Sequence, residues 1–487
     1  MKKITKIFFT FNIIIMAIIL SVTQFYSNEY RNNELEEIIF YLKTGLSGAD
    51  LSILGEFFRE KTLHIIITIF IVFIPILLLK KLKIKAKELI SLCYSIVLLG
   101  GVLIYSYYNI GFNDYVTAMA AESDFIKSEY VDTENIEIKF PEEKRNLIIL
   151  FLESMETTMI SKEKSGGWDY TVIPELEEIA ENNINFSNTE NLGGATRAIG
   201  STWTIGGLVG LTSGLPLKTP AGGNDYKSDN FLGGATTLGD ILKEEGYNLK
   251  FMFGSDATYG GRRHYLTKHG EYEIFDLLTA IERGYMTEEE KVFWGYEDGD
   301  LFEWAKEELL ELAGRGGPFT FNLLTVNTHF PDGWVEEGDE DIYPTQYENV
   351  HAASSKQIGE FVNWVQEQDF YENTTIVLVG DHTSMQEADY YLDKIDSENF
   401  ERVTYNAFIN AVEEPKKEKN RVFSNYDIFP TILSSIGAEF EGNKLGVGVD
   451  LFSEEETIFE KYGVEYVNEE LKKSSEFYNE KFLQIYD

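Results

Sequence analysis

Several polar residues of metal-ligand type stand where predicted strands end. Glu153 follows the apolar run Leu147–Leu152, and the pair Asp381-His382 follows the run TTIVLVG. Because the carboxyl ends of parallel strands meet at one edge of a sheet, we expect these side chains to lie close together. Carboxylate and imidazole groups suit Mn²⁺ or Zn²⁺. The pattern therefore predicts a divalent metal centre at the strand ends.

A hydroxyl and a second histidine belong to the same set of candidates. Thr202 and Thr204 precede the apolar stretch GGLVG, as at the start of a helix, and His329 lies in NTHFPDG after the strand-like FTFNLLTV. A metal beside a threonine hydroxyl lowers its pKa and makes it a nucleophile. The pattern alone leaves both threonines open.

Each candidate also has a purely structural interpretation. Glu153 could favour a helix N-terminus, Thr204 could be a helix N-cap, and Asp381 could cap a turn at the strand end. The remaining candidates could be ordinary loop or surface groups: His329, Arg262 and Arg263. The glycine-rich stretch lacks the GxxxxGK[ST] phosphate-loop pattern. The constellation is more specific than any one of its members.

Strand-like runs alternate with helical stretches from residue 145 onward, and these elements must position the candidates. The predicted strands are NLIILFL, NLKFMFG, FTFNLLTV and TTIVLVG. The predicted helices are PELEEIAEN, LGDILKEEGY, LFEWAKEELLELA and SSKQIGEFVNWVQEQ. This alternation predicts a mostly parallel sheet with helices on both faces. The predicted organisation is a membrane domain at 1–108, a linker at 109–144, a catalytic domain at 145–452 and a charged helical tail at 453–487.

Three apolar segments before residue 109 are long enough to span a bilayer. They are Ile4–Phe25, Leu63–Leu79 and Leu89–Tyr107. Lysines precede the first segment and fill the connection between the second and third, so the positive-inside rule places both clusters in the cytoplasm. The sequence thus predicts a multi-pass protein of the cell membrane whose catalytic domain is extracytoplasmic.

The charge and cysteine content exclude other classes. The 487 residues carry a formal net charge of -39, and an acidic surface of that size argues against a nucleic-acid partner. Cys93 is the single cysteine, so neither an intramolecular disulfide nor a cysteine-based zinc site can form.

The order of several motifs resembles the phosphoglycerol transferase family, with lipoteichoic acid synthase as a relative, within the alkaline phosphatase/sulfatase superfamily. The motifs are NLIILFLESMETT, STWTIGGLVGLTSGLPL, FLGGATTLGDILKEEGYNLKFMFGSDATYGGRRHYLTKHG, LLTVNTHFPDG, TTIVLVGDHTSM and NYDIFPTILSSIG. The resemblance extends from about Glu37, because FYLKTGLSGADLSIL is similar to the family's outer loop, to Phe452. It implies a sulfatase-like three-layer α/β/α domain.

The resemblance also implies roles for individual residues. Glu153, Asp381 and His382 match the metal ligands, and Thr204 matches the threonine that accepts phosphoglycerol and touches the metal. The implied metal is Mn²⁺, with Zn²⁺ or Mg²⁺ as alternatives. The implied substrate-binding residues are His329 and Arg262, with Arg263 as an alternative to the latter. The tryptophan that lipoteichoic acid synthases carry near this arginine is replaced by Gly260, which favours the glucan-modifying branch.

The implied function is transfer of phosphoglycerol from phosphatidylglycerol, the lipid donor, to a hydroxyl of a glycan or glycolipid acceptor. The alternatives are a phosphoethanolamine transferase, a phosphodiesterase that uses water, and a membrane-anchored binding protein without catalysis. Sulfatase activity is excluded, because the chain has no C/S-x-P-x-R motif for the modified nucleophile of such an enzyme.

Overall fold

The computed structural model describes residues 2–29, 35–49, 52–81, 87–220, 226, 230–386, 388–392, 394–395 and 400–484. These residues form two compact units. The first comprises Met1–Leu35 and Asp50–Thr117, and the second comprises Glu36–Ala49 and Ala118–Asp487. We call Glu36–Ala49 the inter-helix segment, because it belongs to the second unit although it lies in the sequence between two helices of the first.

The bounds of the elements in the described residues are as follows. The helices are α1 (Lys2–Glu29), α2 (Leu35–Thr44), α3 (Ser52–Lys81), α4 (Lys87–Asn109), α5 (Phe112–Met119), α6 (Phe125–Glu129), α7 (Pro174–Asn182), α8 (Thr204–Ser213), α9 (Leu238–Glu244), α10 (Arg262–Lys268), α11 (Leu277–Arg283), α12 (Asp298–Gly314), α13 (Gln346–Gln366), α14 (Ala388–Leu392), α15 (Asn425–Ser435), α16 (Ile458–Tyr462), α17 (Val464–Lys472) and α18 (Glu476–Lys481). The strands are β1 (Ile138–Lys139), β2 (Asn146–Leu152), β3 (Ala195–Thr196), β4 (Asn248–Phe253), β5 (Glu273–Phe275), β6 (Phe319–Leu324), β7 (Thr374–Gly380), β8 (Val403–Thr404), β9 (Asn406–Ile409), β10 (Glu439–Phe440), β11 (Lys444–Leu445) and β12 (Gly448–Val449).

The first unit is built from long apolar helices. Within the described residues, Ile4–Asn28 of α1 and Lys87–Asn109 of α4 are long and apolar enough to cross a membrane. The predicted crossing Leu63–Leu79 lies within α3, some of whose side chains fall outside the described residues. The three-span topology and its orientation therefore stay predictions.

Polar side chains join these helices to one another. Ser21 Oγ of α1 lies 2.9 Å from His64 Nδ1 of α3, and Thr23 Oγ1 lies 2.7 Å from Ser106 Oγ of α4. Hydrogen bonds of this kind hold helices together in apolar surroundings, where burial of apolar surface supplies little drive for association.

The second unit is organised around a six-stranded sheet with the order β5-β4-β6-β2-β7-β9. All neighbouring strands are parallel except β9, which runs antiparallel to β7 at one edge. Side chains alternate along β2 between two buried layers, because successive residues of a strand point to opposite faces. Leu147, Ile149 and Phe151 pack in one core cluster, whereas Ile148, Leu150 and Leu152 pack in the other. The predicted α/β fold with a mostly parallel, doubly covered sheet is confirmed.

The segments that flank the central sheet also pack within the second unit. β1, in the stretch predicted as a linker, pairs with β10. The predicted tail contains α16, α17 and α18, and Leu471 and Tyr478 are buried in the first core cluster.

Candidate metal centre

The register of the sheet brings three strand ends to one level. Phe151 of β2 pairs with Leu324 of β6, and Leu152 pairs with Gly380 of β7. Glu153, the residue after β2, and Asp381, the residue after β7, therefore lie side by side. The backbone N–H of Glu153 donates to Thr325 Oγ1 at 2.9 Å, which fixes the start of the turn after β2.

Glu153, Asp381 and His382 form a buried triad of metal-ligand type. One ligand atom from each lies within 4.8 Å of the other two. His382 Nε2 lies 3.3 Å from Glu153 Oε1 and 3.5 Å from Asp381 Oδ2. The triad that the sequence placed at the strand ends is therefore brought together by the sheet.

Backbone groups orient the triad and leave one oxygen directed at its centre. Asp381 Oδ1 accepts hydrogen bonds from the backbone N–H groups of Ser154 at 2.9 Å and His382 at 2.8 Å. Asp381 Oδ2 is buried and has no hydrogen-bond partner among the described residues. His382 Nδ1 lies 2.9 Å from the carbonyl oxygen of Thr383, which directs Nε2 toward the two carboxylates. A buried carboxylate oxygen without a donor, beside a second carboxylate and an imidazole, fits a divalent cation.

The electrostatics of the triad disfavour the ionisation of both of its carboxyl groups at once. Burial, together with the charge of Glu153, raises the pKa of Asp381 to about 8. Burial disfavours the cationic form of His382, but Asp381 and Glu153 outweigh it and raise the pKa of the imidazole to about 10. The protonated imidazole is thus the positive charge that balances the carboxylates in the protein alone, and a divalent cation would replace that proton.

Thr204 lies at the first position of α8 and faces the triad. Its Oγ1 is 3.2 Å from Glu153 Oε2 and 3.4 Å from His382 Nε2. Gly207, one turn later, permits this approach, because a Cβ there would lie 2.3 Å from the backbone oxygen of Asp381. Thr202 is buried instead, and its Oγ1 has no hydrogen-bond partner among the described residues. The structure therefore brings Thr204, and not Thr202, to the triad.

A pocket opens beside Thr204. Glu153, Arg262 and His329 also line it. His329 Nδ1 lies 2.6 Å from the carbonyl oxygen of Phe330, and burial lowers the pKa of the imidazole below its usual value. The resting imidazole is therefore neutral near pH 7, with its hydrogen on Nδ1 and its lone pair on Nε2.

The two adjacent arginines have different surroundings. Arg262 is 5% exposed, and its Nε and Nη2 donate to the carbonyl oxygens of Tyr259 at 3.0 Å and Asp256 at 2.8 Å. Arg263 points elsewhere and forms an ion pair with Asp276. Arg262 is thus the one of the two that lines the pocket, and its role in substrate binding stays a prediction.

Four further residues around the site were missed at the sequence level. Ser154 adopts a left-handed conformation with φ 54° and donates its hydroxyl to Glu153 Oε1 at 2.9 Å. Tyr41, Tyr259 and Trp294 form aromatic parts of the pocket wall. The SM pair after Glu153 gave no signal for the turn, and nothing in the sequence marks these three aromatic residues as parts of one pocket wall.

Comparison with known proteins places this fold in a family. A sequence model of the sulfatase family matches residues 145–438, more than half of the chain. The chain belongs to the sulfatase family. This membership and the relatives below confirm the resemblance described from the sequence.

Two relatives of this sulfatase-family chain are proteins named phosphoglycerol transferase I. The one from Escherichia coli (strain SMS-3-5 / SECEC) is 30% identical over 320 residues, which cover 63% of this chain and 39% of the relative. The one from Shigella boydii serotype 18 is 29% identical over the same coverage. The chain spans about two fifths of the length of these curated relatives.

Solved structures share the fold of this family member. The lipoteichoic acid synthase LtaP from Listeria monocytogenes has a TM-score of 0.52 at 18% identity and covers 68% of this chain and 82% of its own. An alkaline phosphatase superfamily protein from Vibrio parahaemolyticus has a TM-score of 0.51 at 21% identity, with coverages of 68% and 77%. At these identities the likeness supports the fold alone.

Proposed function

We propose that this chain is a membrane-anchored, metal-dependent phosphotransferase that moves phosphoglycerol from phosphatidylglycerol to a hydroxyl of a glycan or glycolipid. The observation that carries the proposal is the position of Thr204, whose hydroxyl lies within 3.4 Å of both Glu153 and His382 at the mouth of a pocket containing Arg262. The relatives named phosphoglycerol transferase I support the choice of transferred group.

In the first step, Thr204 Oγ attacks the phosphorus of the donor. The new Oγ–P bond forms as the bond from phosphorus to the diacylglycerol oxygen breaks, and diacylglycerol leaves with a proton. The product on the protein is a phosphoglycerol-threonine diester. Arg262 lies in the same pocket, where its guanidinium is suited to bind the phosphoryl oxygens as charge builds on them.

In the second step, the acceptor hydroxyl attacks the same phosphorus and the Oγ–P bond breaks. The hydroxyl of Thr204 is restored by a proton, and the acceptor carries the phosphoglycerol. His329 is neutral with its Nε2 lone pair available, so it is suited to accept the proton of the incoming hydroxyl. We assign Glu153, Asp381 and His382 to holding the cation and to orienting Thr204.

The residues present fit a bound cation, and the donor set limits its nature. A divalent cation held by Glu153, Asp381 and His382 would acidify the Thr204 hydroxyl and stabilise the phosphoryl oxygens as a Lewis acid. Two carboxylates, one imidazole and a hydroxyl suit Mn²⁺, with Zn²⁺ or Mg²⁺ as alternatives. Anchoring by the apolar helices would keep the site beside a donor that stays in the membrane.

The test is peptide mass spectrometry of the full chain incubated with Mn²⁺ and either phosphatidylglycerol or phosphatidylethanolamine. We expect a phosphoglycerol adduct on the peptide that contains Thr204, together with released diacylglycerol. Thr204→Ala should abolish the adduct and lower turnover by at least about 1,000-fold, because it removes the nucleophile. Thr202→Val is the matched control and should retain the adduct at Thr204.

Other outcomes would select among the alternatives. An adduct only from phosphatidylethanolamine would keep the mechanism and change the donor. An adduct that water removes as fast as any glycan would indicate a phosphodiesterase. Absence of both adduct and diacylglycerol in metal-loaded protein would contradict the transferase and favour a binding protein.

A further inference from the structure

One wall of the pocket comes from the inter-helix segment, Glu36–Ala49. Phe40 of this segment is fully buried, with its ring centroid 6.2 Å from that of Trp203 and 5.1 Å from that of Tyr226. Trp203 is the residue immediately before Thr204. The segment is therefore packed directly beside the start of α8.

Polar contacts fix the same face of α2. Glu36 accepts a hydrogen bond from the backbone N–H of Thr219, and Lys43 donates to the carbonyl oxygen of Pro220. Glu36, Phe40 and Lys43 follow the helical spacing of four and three residues, so they lie on one side of α2. Phe40 and Lys43 flank Tyr41 in the sequence, and their contacts hold the backbone of Tyr41 in place.

Tyr41 covers the turn that carries Arg262. Its ring stacks on Tyr259 with centroids 4.8 Å apart and planes at 8°. A Cβ at Gly260, where φ is 65°, would lie 3.4 Å from Tyr41 Cε1. An aromatic ring from a segment far away in sequence thus occupies the space above a glycine, and it lines the pocket together with Thr204 and Arg262.

The pocket lining combines a buried cation with aromatic rings. Arg262 is buried, and no carboxylate among the described residues lies within 4.0 Å of its guanidinium. Tyr41, Tyr259 and Trp294 supply flat faces in the same lining, and the guanidinium lies 6.0 Å from the centre of the Tyr259 ring. Burial raises the pKa of the Tyr41 phenol well above its usual value, so the ring stays uncharged. This combination suits a phosphoryl group joined to a small uncharged polyol.

We infer that Tyr41 is a specificity-determining residue that forms the wall of a subsite for the glycerol half of a glycerol phosphate group, above the turn at Gly260. The inference rests on the proposed function for its choice of ligand, and it adds a binding residue contributed from between two apolar helices. The buried guanidinium of Arg262 disfavours an ammonium group in the same pocket. Glu37, which is buried on α2, is the carboxylate that would favour one, so both headgroups must be compared.

The experiment is calorimetric titration of the full chain in detergent, loaded with Mn²⁺, with glycerol 1-phosphate, ethanolamine phosphate and inorganic phosphate. Tyr41→Leu keeps a branched apolar side chain and removes the flat ring. We expect it to lower the affinity for glycerol 1-phosphate about tenfold, because an aromatic contact is lost. The affinity for inorganic phosphate should stay within about twofold of the wild-type value. Tyr41→Phe should stay near the wild type. Leu42→Ala is the matched control on the same helix, because Leu42 is 74% exposed.

Each outcome decides the inference. Selective loss of glycerol 1-phosphate binding in Tyr41→Leu supports it. Equal weakening of glycerol 1-phosphate and inorganic phosphate would assign Tyr41 a purely structural role and overturn it, as would no change for either ligand or tighter wild-type binding of ethanolamine phosphate. Glycerol 1-phosphate binding that depends on Tyr41, without any adduct on Thr204, would uphold the subsite while contradicting the transferase. An adduct on Thr204 in both wild type and Tyr41→Leu, with equal glycerol 1-phosphate affinities, would uphold the transferase and contradict the subsite.

Discussion

Two glutamates that follow β2 are both fully enclosed, but their charges are balanced in different ways. Glu156 has a permanent cation, since Arg402 donates Nε to its Oε2 at 3.0 Å and pairs with its Oε1. Glu153, three residues earlier, forms no ion pair with a lysine or arginine among the described residues; its carboxylate contacts Ser154, Thr204 and the ionisable His382, and Asp381 adds a second carboxylate. One region is closed by an arginine in direct contact with its carboxylate, and the other holds two neighbouring carboxyl groups whose direct cationic partner is an ionisable histidine.

The way in which the buried charge is balanced distinguishes a structural ion pair from a candidate metal centre. A buried carboxylate is costly unless a cation or several donors compensate it. At Glu156 the chain itself supplies the cation, so no ligand is needed. At Glu153 and Asp381 the balance depends on a proton shared with His382, and a proton is what a divalent cation displaces.

The largest expected effect comes from Asp381→Asn, which removes one carboxyl group from the triad. We expect metal-dependent transfer to fall by more than the about 100-fold that loss of an outer-shell partner causes. In metal-free protein the same variant should unfold at a temperature no lower than the wild type, because it removes a carboxyl group whose ionised form is disfavoured by burial and by the charge of Glu153. Activity assays and thermal unfolding with and without Mn²⁺ check both expectations.

The control for this variant is Glu308→Gln, a buried carboxylate that pairs with Lys250 away from the triad. It should retain the rise in melting temperature that Mn²⁺ produces. At an Mn²⁺ concentration of 100 times the dissociation constant, this rise corresponds to about 2.7 kcal/mol. An Mn²⁺-induced rise that persists in Asp381→Asn would show that the cation binds elsewhere.

The second effect comes from Arg402→Met, which removes the cation that balances the buried charge of Glu156. Glu156 would be left buried without its cation, and we expect a loss of about 3 to 5 kcal/mol in the free energy of unfolding. Chemical denaturation of the full chain in detergent measures it. The double variant Glu156→Gln, Arg402→Met should recover at least half of the loss, because the buried charge is then removed. If single and double variants are equally unstable, the pair contributes packing and no charge balance.

The sequence predicted the central strands and the residues at their ends better than the walls of the pocket. β2, β6 and β7 are buried on both faces, so their continuous apolar runs predicted them, and Glu153, Asp381 and His382 followed from the strand ends. The fold prediction is confirmed, whereas the roles of these residues stay predictions. β9 was missed because four residues at a sheet edge give too short a pattern.

Two other details needed three-dimensional information or a closer look at local signals. α13 was expected from about Ser354 but begins at Gln346, where Thr345 and Glu348 form a capping box whose T-x-x-E spacing was available in the sequence. Tyr41 could not have been placed, because 112 residues separate it from Glu153 and no periodicity links a pocket wall to a segment between apolar helices. Arg262 and Arg263 are adjacent, and only the direction of α10 distinguishes them.

The last expected effect concerns Asp298, a third buried carboxyl group, which pairs with no arginine among the described residues and has no place in the triad. Its Oδ1 and Oδ2 accept hydrogen bonds from the backbone N–H groups of Val326 at 2.8 Å and Asn327 at 3.0 Å, in the loop that leads to His329. Burial nevertheless outweighs these donors and raises the pKa of Asp298 to about 7. Asp298 therefore stabilises the fold most in its protonated form.

The sign of the resulting pH dependence follows from this shift. Because the pKa is higher in the folded chain, the contribution of Asp298 is full below about pH 4 and is lost as the pH rises through about 7, by up to about 4 kcal/mol. Asp298→Asn lacks this loss but can accept only one of the two hydrogen bonds, which costs about 1 kcal/mol at every pH. Thermal unfolding from pH 3 to pH 8 should therefore show the variant below the wild type at pH 3 and above it at pH 8. The exposed Asp369→Asn should follow the wild type throughout, and parallel curves for Asp298→Asn and wild type would mean that backbone donors alone suffice to balance a buried carboxylate.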